Sequence, residues 1–189
     1  MYLSRIPLDI SKRKTQVALV SPNKFHGAIE EAFAERQCRN LWRIDNLKGR
    51  TYLLLLSESE PDLEYIAGQF GDIRDCGETK GYEALLNRIR EGSVWHFRLV
   101  ANPTYSKRKG EGRGKVTAHT VEEFQLQWLA GQSVKKGFRI VPDTVRVMES
   151  KWKIFNKRDT KHKIRILEAA FEGRLEVDNE VVFSDALCT

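Results

Sequence analysis

A helix that opens on a serine–proline pair and is bracketed by strand-like runs constrains this chain most. Ser21 and Pro22 read as an N-cap and a first-turn proline, and Phe25, Ala28, Ile29, Ala32 and Phe33 follow at helical spacing. Before them YLSRIPL reads as a strand. After them LWRID and TYLLLLS read as two strands joined at Asn46, Leu47, Lys48 and Gly49, which is hairpin chemistry. Pro61 and Asp62 open a second, shorter helix with Leu63, Ile66 and Ala67 inward, and the segment FGDIRD is expected to supply a last strand.

The second half repeats this order without repeating the letters. VWHFRLVANP is a strand stopped by Asn102 and Pro103, and a glycine-rich basic loop follows. Thr120 and Glu123 form a capping box for a helix carrying Val121, Phe124, Trp128 and Leu129 on one face, ending at Gly131 or Gly137. FRIV is a further strand, TVRVMESKWKIF and KHKIRILEAAF make a long hairpin around Asn156 to Thr160, and strand GRLEV and helix EVVFSDAL close the order. The expected fold is α+β: two ferredoxin-like βαββαβ units in tandem, one over residues 1–88 and one over 89–189. The second unit is expected to lack its last strand, since the sequence reaches Thr189 directly after that helix, and a sheet edge would stand open.

Charge distribution narrows the function. Of a formal net charge of +6, residues 146–165 alone carry an equal excess: Arg146, Lys151, Lys153, Lys157, Arg158, Lys161, Lys163 and Arg165 against Glu149 and Asp159. A second block holds Lys107, Arg108, Lys109, Arg113 and Lys115 against Glu111. Two concentrated basic stretches, one containing Trp152 and Phe155, suit a polyanion, because neutralised phosphates release counterions and aromatic rings stack on bases. Alternation along KWK and KHKIR sets Lys151 and Lys153, then Lys161, Lys163 and Arg165, on single strand faces able to track phosphates. Cys38, Cys76 and Cys188 form no C-x-x-C pair, so neither a disulfide framework nor a zinc knuckle is expected, and a reducing cytosol fits. No secretory leader or membrane span is read, no magnesium-type carboxylate pair is evident, and no cofactor or small-molecule substrate is expected.

MYLSRI, SPNKFHGAIEEAF, LWRID, FRLVANP, QWLAGQSVKKGF and FEGRLEV occur in order over nearly the whole chain. Together they resemble the CasE family, the CRISPR RNA endoribonuclease of the type I-E Cascade complex. The resemblance implies two ferredoxin-like domains and cleavage of CRISPR repeat RNA at the base of a stem-loop without metal. It also implies a 2′,3′-cyclic phosphate product, and retention of that product among other Cascade effector subunits in the cytoplasm. By its place in SPNKFHGAIEEAF, His26 matches the family's histidine and is the catalytic candidate. Helical spacing agrees, offsetting His26 from the face of Phe25, Ile29 and Phe33 near a helix start that helps bind phosphate. Glu30, four residues on, either orients the ring or solvates the helix.

Asn23 stands where some relatives carry tyrosine, and it can donate a hydrogen bond to phosphate but not exchange a proton. Lys24 beside it is expected to supply positive charge. His96, between Trp95 and Phe97, reads as structural. His119 precedes the capping box, and His162 in the basic hairpin reads as an RNA contact or as a second proton-transfer group paired with His26. The runner-up function is a non-catalytic RNA-binding module.

Overall fold

A computed structural model describes residues 1–35, 40–107, 114–156 and 163–188, with the side chains of 155, 156, 163 and 164 excluded. The chain divides into two compact units, Met1–Leu86 and Asn87–Thr189.

The first unit runs β1 (Tyr2–Pro7), α1 (Arg13–Val20), α2 (Asn23–Glu31), β2 (Leu41–Leu47), β3 (Arg50–Ser57), α3 (Leu63–Phe70), β4 (Glu78–Gly81) and α4 (Glu83–Leu86). Its strands form one antiparallel sheet in the order β2-β3-β1-β4. Register sets Ile6 opposite Leu53 and Ser4 opposite Leu55, with Ile44 and Trp42 next along, so these side chains share one face. That face packs on Phe25, Ala28 and Ile29 of α2 and Ile66, Ala67 and Phe70 of α3. The Phe25 ring sits 4.7 Å from Phe70 and 5.9 Å from Trp42. The buried Ser4 hydroxyl is satisfied across the ladder by Thr79 Oγ1 at 2.8 Å. The β2–β3 turn takes left-handed backbone at Lys48 (φ 53) and Gly49 (φ 80), as a two-residue type I′ hairpin requires.

Two local expectations change. Ser21 does not cap α2 with its side chain; its N–H bonds to Val17 O at 2.9 Å and ends α1, a helix that the sequence pattern does not predict. Pro22, lacking an N–H, cannot continue α1's hydrogen bonding, so the chain breaks there and α2 starts at Asn23. FGDIRD is not the last strand. Asp72 accepts hydrogen bonds from the Arg74 backbone and guanidinium, a local turn that competes with the ladder, and β4 forms further on at Glu78–Gly81.

The second unit runs β5 (Val94–Ala101), β6 (Thr104–Lys107), β7 (Lys115–Ala118), α5 (Glu122–Lys135), β8 (Phe138–Ile140), β9 (Arg146–Asn156), β10 (Lys163–Val177) and α6 (Glu180–Cys188). β10 is the central strand: β5 lies along one edge, while β9 and β8 share the other, β9 on its N-terminal part and β8 at its end. Among the described residues no strand covers β5's outer edge. Leu129 of α5 packs on Ala169 and Phe171 of β10.

KIRILEAAF, the described part of that run, and GRLEV belong to one strand rather than two. A Cβ at Gly173 would lie 2.6 Å from Val145 Cγ2 and 2.8 Å from Thr144 O, so glycine here admits a crossing chain instead of ending the strand. The basic loop is flanked by paired strands, β6 and β7. The Thr120–Glu123 capping box does not form, because α5 starts one residue later with Val121 at its cap and no side-chain cap bond. Its inward face is Gln125, Leu129 and Ser133, four residues apart, whereas Val121 and Phe124 are exposed.

Candidate active site

Phe25, Ala28 and Ile29 are buried and clamp α2 to the first unit's core, which fixes the direction of every other side chain on it. His26 follows Phe25 by one residue, about 100° around the helix, and its side chain is 49% exposed. Its Nε2 lies 3.3 Å from Glu30 Oε1, an exposed contact one helical turn on.

Lys24 faces away from His26, with Asn23 beside it. With Arg13 and Lys14 of α1 and Gln69 of α3 they line an open groove among α1, α2 and α3 that His26 does not enter. Lys24 precedes His26 by two positions, roughly 200° around the helix, so the expected cation beside the histidine is instead part of a neighbouring groove. Asn23, three residues before His26, stands between the two. Arg13, Lys14 and Lys24 form no ion pair among the described residues, and Lys14 Nζ sits 5.6 Å above the Phe70 ring. Glu31, the groove's acidic residue, accepts a hydrogen bond from the Tyr65 hydroxyl, and that bond pushes the Tyr65 phenol above its ordinary range.

Arg13 and Lys14 were missed because α1 buries only Thr15 and Ala18 and has little apolar periodicity to read. One signal was present: Asp9 accepts from the Ser11 N–H at 2.9 Å, a turn that launches the helix.

In the basic hairpin, Lys151 and Lys153 share one face of β9, as expected. Antiparallel register then sets Glu168 opposite Lys151 and Arg165 opposite Ile154, so Arg165 belongs to the other face. Arg165 therefore points away from the face that carries Lys151 and Lys153. Lys151 pairs with Glu149 at 2.7 Å and Lys153 with Glu168 at 2.7 Å, while the Arg165 guanidinium sits 4.2 Å from the centroid of the Trp152 ring. Lys163 lies across from Asn156 in the register. Lys157, Arg158, Lys161 and His162, with Arg108, Lys109 and Arg113 of the other block, lie outside the described residues.

On the β6–β7 ribbon Lys107 and Lys115 are directly opposite each other, and both are exposed. His119 follows β7 with its ring 4.7 Å from Tyr105 and 6.1 Å from Phe124. His96 is not a core residue: its side chain is 62% exposed, with Nε2 3.4 Å from Glu172 Oε1, because alternation along β5 turns Trp95 and Phe97 inward and His96 out. Among the described residues no three His, Cys, Asp or Glu side chains gather as a metal site, and no helix is long and apolar enough to cross a membrane.

Fold and site together define a tandem ferredoxin-like α+β protein with an exposed histidine on its second helix and two basic ribbons. A family model described as CRISPR associated protein matches residues 1–189, and the chain belongs to that family. No curated protein sequence matches it. Among solved structures it is similar to CRISPR endoribonuclease Cse3 bound to 19 nt RNA, with a TM-score of 0.75 at 22% identity over 99% of this chain and 91% of that one. Thermus thermophilus Cse3 bound to an RNA representing a pre-cleavage complex gives 0.75 at 22% identity, over 98% and 89%. Cas6e from Escherichia coli str. K-12 gives 0.55 at 19% identity, also over 98% and 89%. At such identities the likeness is one of fold, and it agrees with the resemblance and the tandem architecture expected from sequence.

Proposed function

We propose that this chain is a metal-independent endoribonuclease that cleaves precursor CRISPR RNA at the base of a repeat stem-loop and stays bound to the product as a subunit of a cytoplasmic Cascade complex. The observation that carries the reading is His26, half-exposed on a helix clamped by Phe25, Ala28 and Ile29, in a chain that matches its CRISPR family over its full length. In the reaction the ribose 2′-OH attacks the adjacent phosphorus, the bond to the 5′ oxygen breaks, and a 2′,3′-cyclic phosphate and a 5′-OH result. His26 exchanges a proton at this centre. Asn23 donates to a phosphate oxygen, and Arg13, Lys14 and Lys24 guide the neighbouring backbone along their groove. Residues 1–88 thus carry the chemistry, while the basic ribbons of residues 89–189 hold the RNA.

The test is cleavage of a repeat hairpin in EDTA by the wild type and by His26→Ala. The variant should cleave about 10²–10⁴-fold more slowly and bind the hairpin unchanged; undiminished cleavage would remove His26 from the mechanism. A non-catalytic RNA-binding module is the second reading, favoured by Glu30 on the His26 ring and by Lys24 facing away from it. Products ending in a cyclic phosphate exclude it.

A further inference from the structure

The second unit carries an aromatic group that the proposed chemistry does not use. Tyr105 of β6, His119 after β7 and Phe124 of α5 are brought together by the fold, with the histidine ring between the other two. Tyr105 is 42% exposed and Phe124 48%, so rings that would ordinarily go inward form a surface. Gln125 fixes it from beneath. Only 1% exposed, it donates through Nε2 to His119 O at 2.8 Å and bonds Ser150 Oγ at 3.0 Å, tying the end of the ribbon to α5 and β9. His119 N–H also bonds Pro103 O at 2.9 Å, across the base of the ribbon. The rings are therefore held before any ligand arrives.

Charge identifies what they hold. Along β6, Tyr105 and Lys107 share a face, and register sets Lys115 opposite Lys107 on that face. Like charges directly opposed across a ladder are unfavourable, and neither lysine has an acidic partner among the described residues. An anion lying over the pair removes the penalty. Aromatic rings continuous with paired, unneutralised lysines match the chemistry of a single-stranded nucleotide: a base on the rings and its phosphates on the ammonium groups.

We infer that Tyr105, His119 and Phe124 form a stacking platform for an unpaired base of the bound RNA, with Lys107 and Lys115 on the flanking phosphates. The platform rests on the RNA reading above and adds a second recognition element, for single-stranded RNA adjoining the stem. Tyr105 is its main surface, Gln125 is a positioning residue, and neither takes part in the cleavage.

The experiment compares full-length protein binding to a 2′-O-methyl repeat hairpin, which cannot be cut, carrying either an intact single-stranded flank or the same flank with abasic nucleotides. The wild type should prefer the intact flank by about 5- to 150-fold, the range of one stacked base. Tyr105→Leu, which keeps apolar bulk but has no aromatic face, should bind both RNAs equally, and Tyr105→Phe should restore the preference. Lys107→Ala should keep the preference while reducing the salt dependence by about one phosphate contact. A preference that survives Tyr105→Leu overturns the platform. So does a wild type that cuts the unmodified hairpin yet ignores abasic substitution, leaving the RNA reading intact. A wild type that neither binds nor cuts the hairpin overturns both.

Discussion

Both units bury aromatic rings, Phe25 and Phe70 in the first and Phe171 and Phe183 in the second, but they differ in what else their rings do. In the first, Phe25 and Phe70 are 1% exposed and meet Trp42 beneath a sheet whose four strands are all paired in one order. In the second, Tyr105, Phe124 and Trp152 stand at the surface on or beside two ribbons, each near a histidine ring or a cation. The first unit uses its rings to hold one helix, and so one histidine, in a defined direction. The second, besides its buried Phe171 and Phe183, carries these three rings at the surface, where they add little to stability.

Four measurements bear on that contrast. Phe70→Ala should cost about 3–5 kcal/mol in chemical denaturation, since it empties the space between α3 and the Phe25 ring; a loss below about 1 kcal/mol would break the comparison. Gln125→Ala strips a partner from His119 O and from Ser150 and should cost about 1–3 kcal/mol. That loss should accompany a weaker preference for an intact RNA flank if the platform depends on it. A double-mutant cycle of Trp152→Ala with Arg165→Ala should give a coupling of about 0.5–1 kcal/mol, the size of an exposed cation–π contact. A larger value would make this pair a structural element rather than an available surface.

The smallest effect concerns acid. Asp9, Asp72, Glu78 and Glu83 of the first unit all have carboxyls held below their ordinary range: Asp72 by hydrogen bonds from Arg74, Glu78 by Lys80, Glu83 by the N-terminal ammonium and Asp9 by Ser11. A carboxyl lowered in the folded state contributes stability that is present above its unfolded value, near 3.8 for Asp72, and is lost as the pH falls from there toward the folded value. All four are solvent-screened, so each contribution is small. Thermal unfolding of Asp72→Asn should therefore show slightly lower stability than the wild type at neutral pH and convergence with it in acid. A gap that widens in acid would reverse the sign.

Much of the first unit was legible because its signals are local. Phe25, Ala28 and Ile29 repeat at helical spacing, Asn46 to Gly49 form a turn, and Asp62 caps α3 by accepting from the Tyr65 N–H at 2.9 Å. α1 was not legible, since little of it is buried and its boundary depends on how Pro22 interrupts hydrogen bonding. In the second unit the capping box misled. Thr120 and Glu123 have the right spacing, yet Val121 takes the cap position, and the first turn is tied instead by Gln125 to His119 O and Ser150.

By itself the sequence determined β1, α2, the β2–β3 hairpin, α3, β5 and α5, the two concentrations of positive charge and the offset of His26 from the apolar face of its helix, because spacing and composition are properties of neighbours along the chain. Only the tertiary structure decided that Lys24 joins Arg13 and Lys14 in a groove apart from His26, that Arg165 faces away from Lys151 and Lys153, and that Tyr105, His119 and Phe124 meet. Those outcomes depend on strand register and on the angle at which one element packs against another. A one-residue slip in register would turn Arg165 to the face of Lys153, and no local pattern excludes that slip until the buried side of the sheet has chosen its partners.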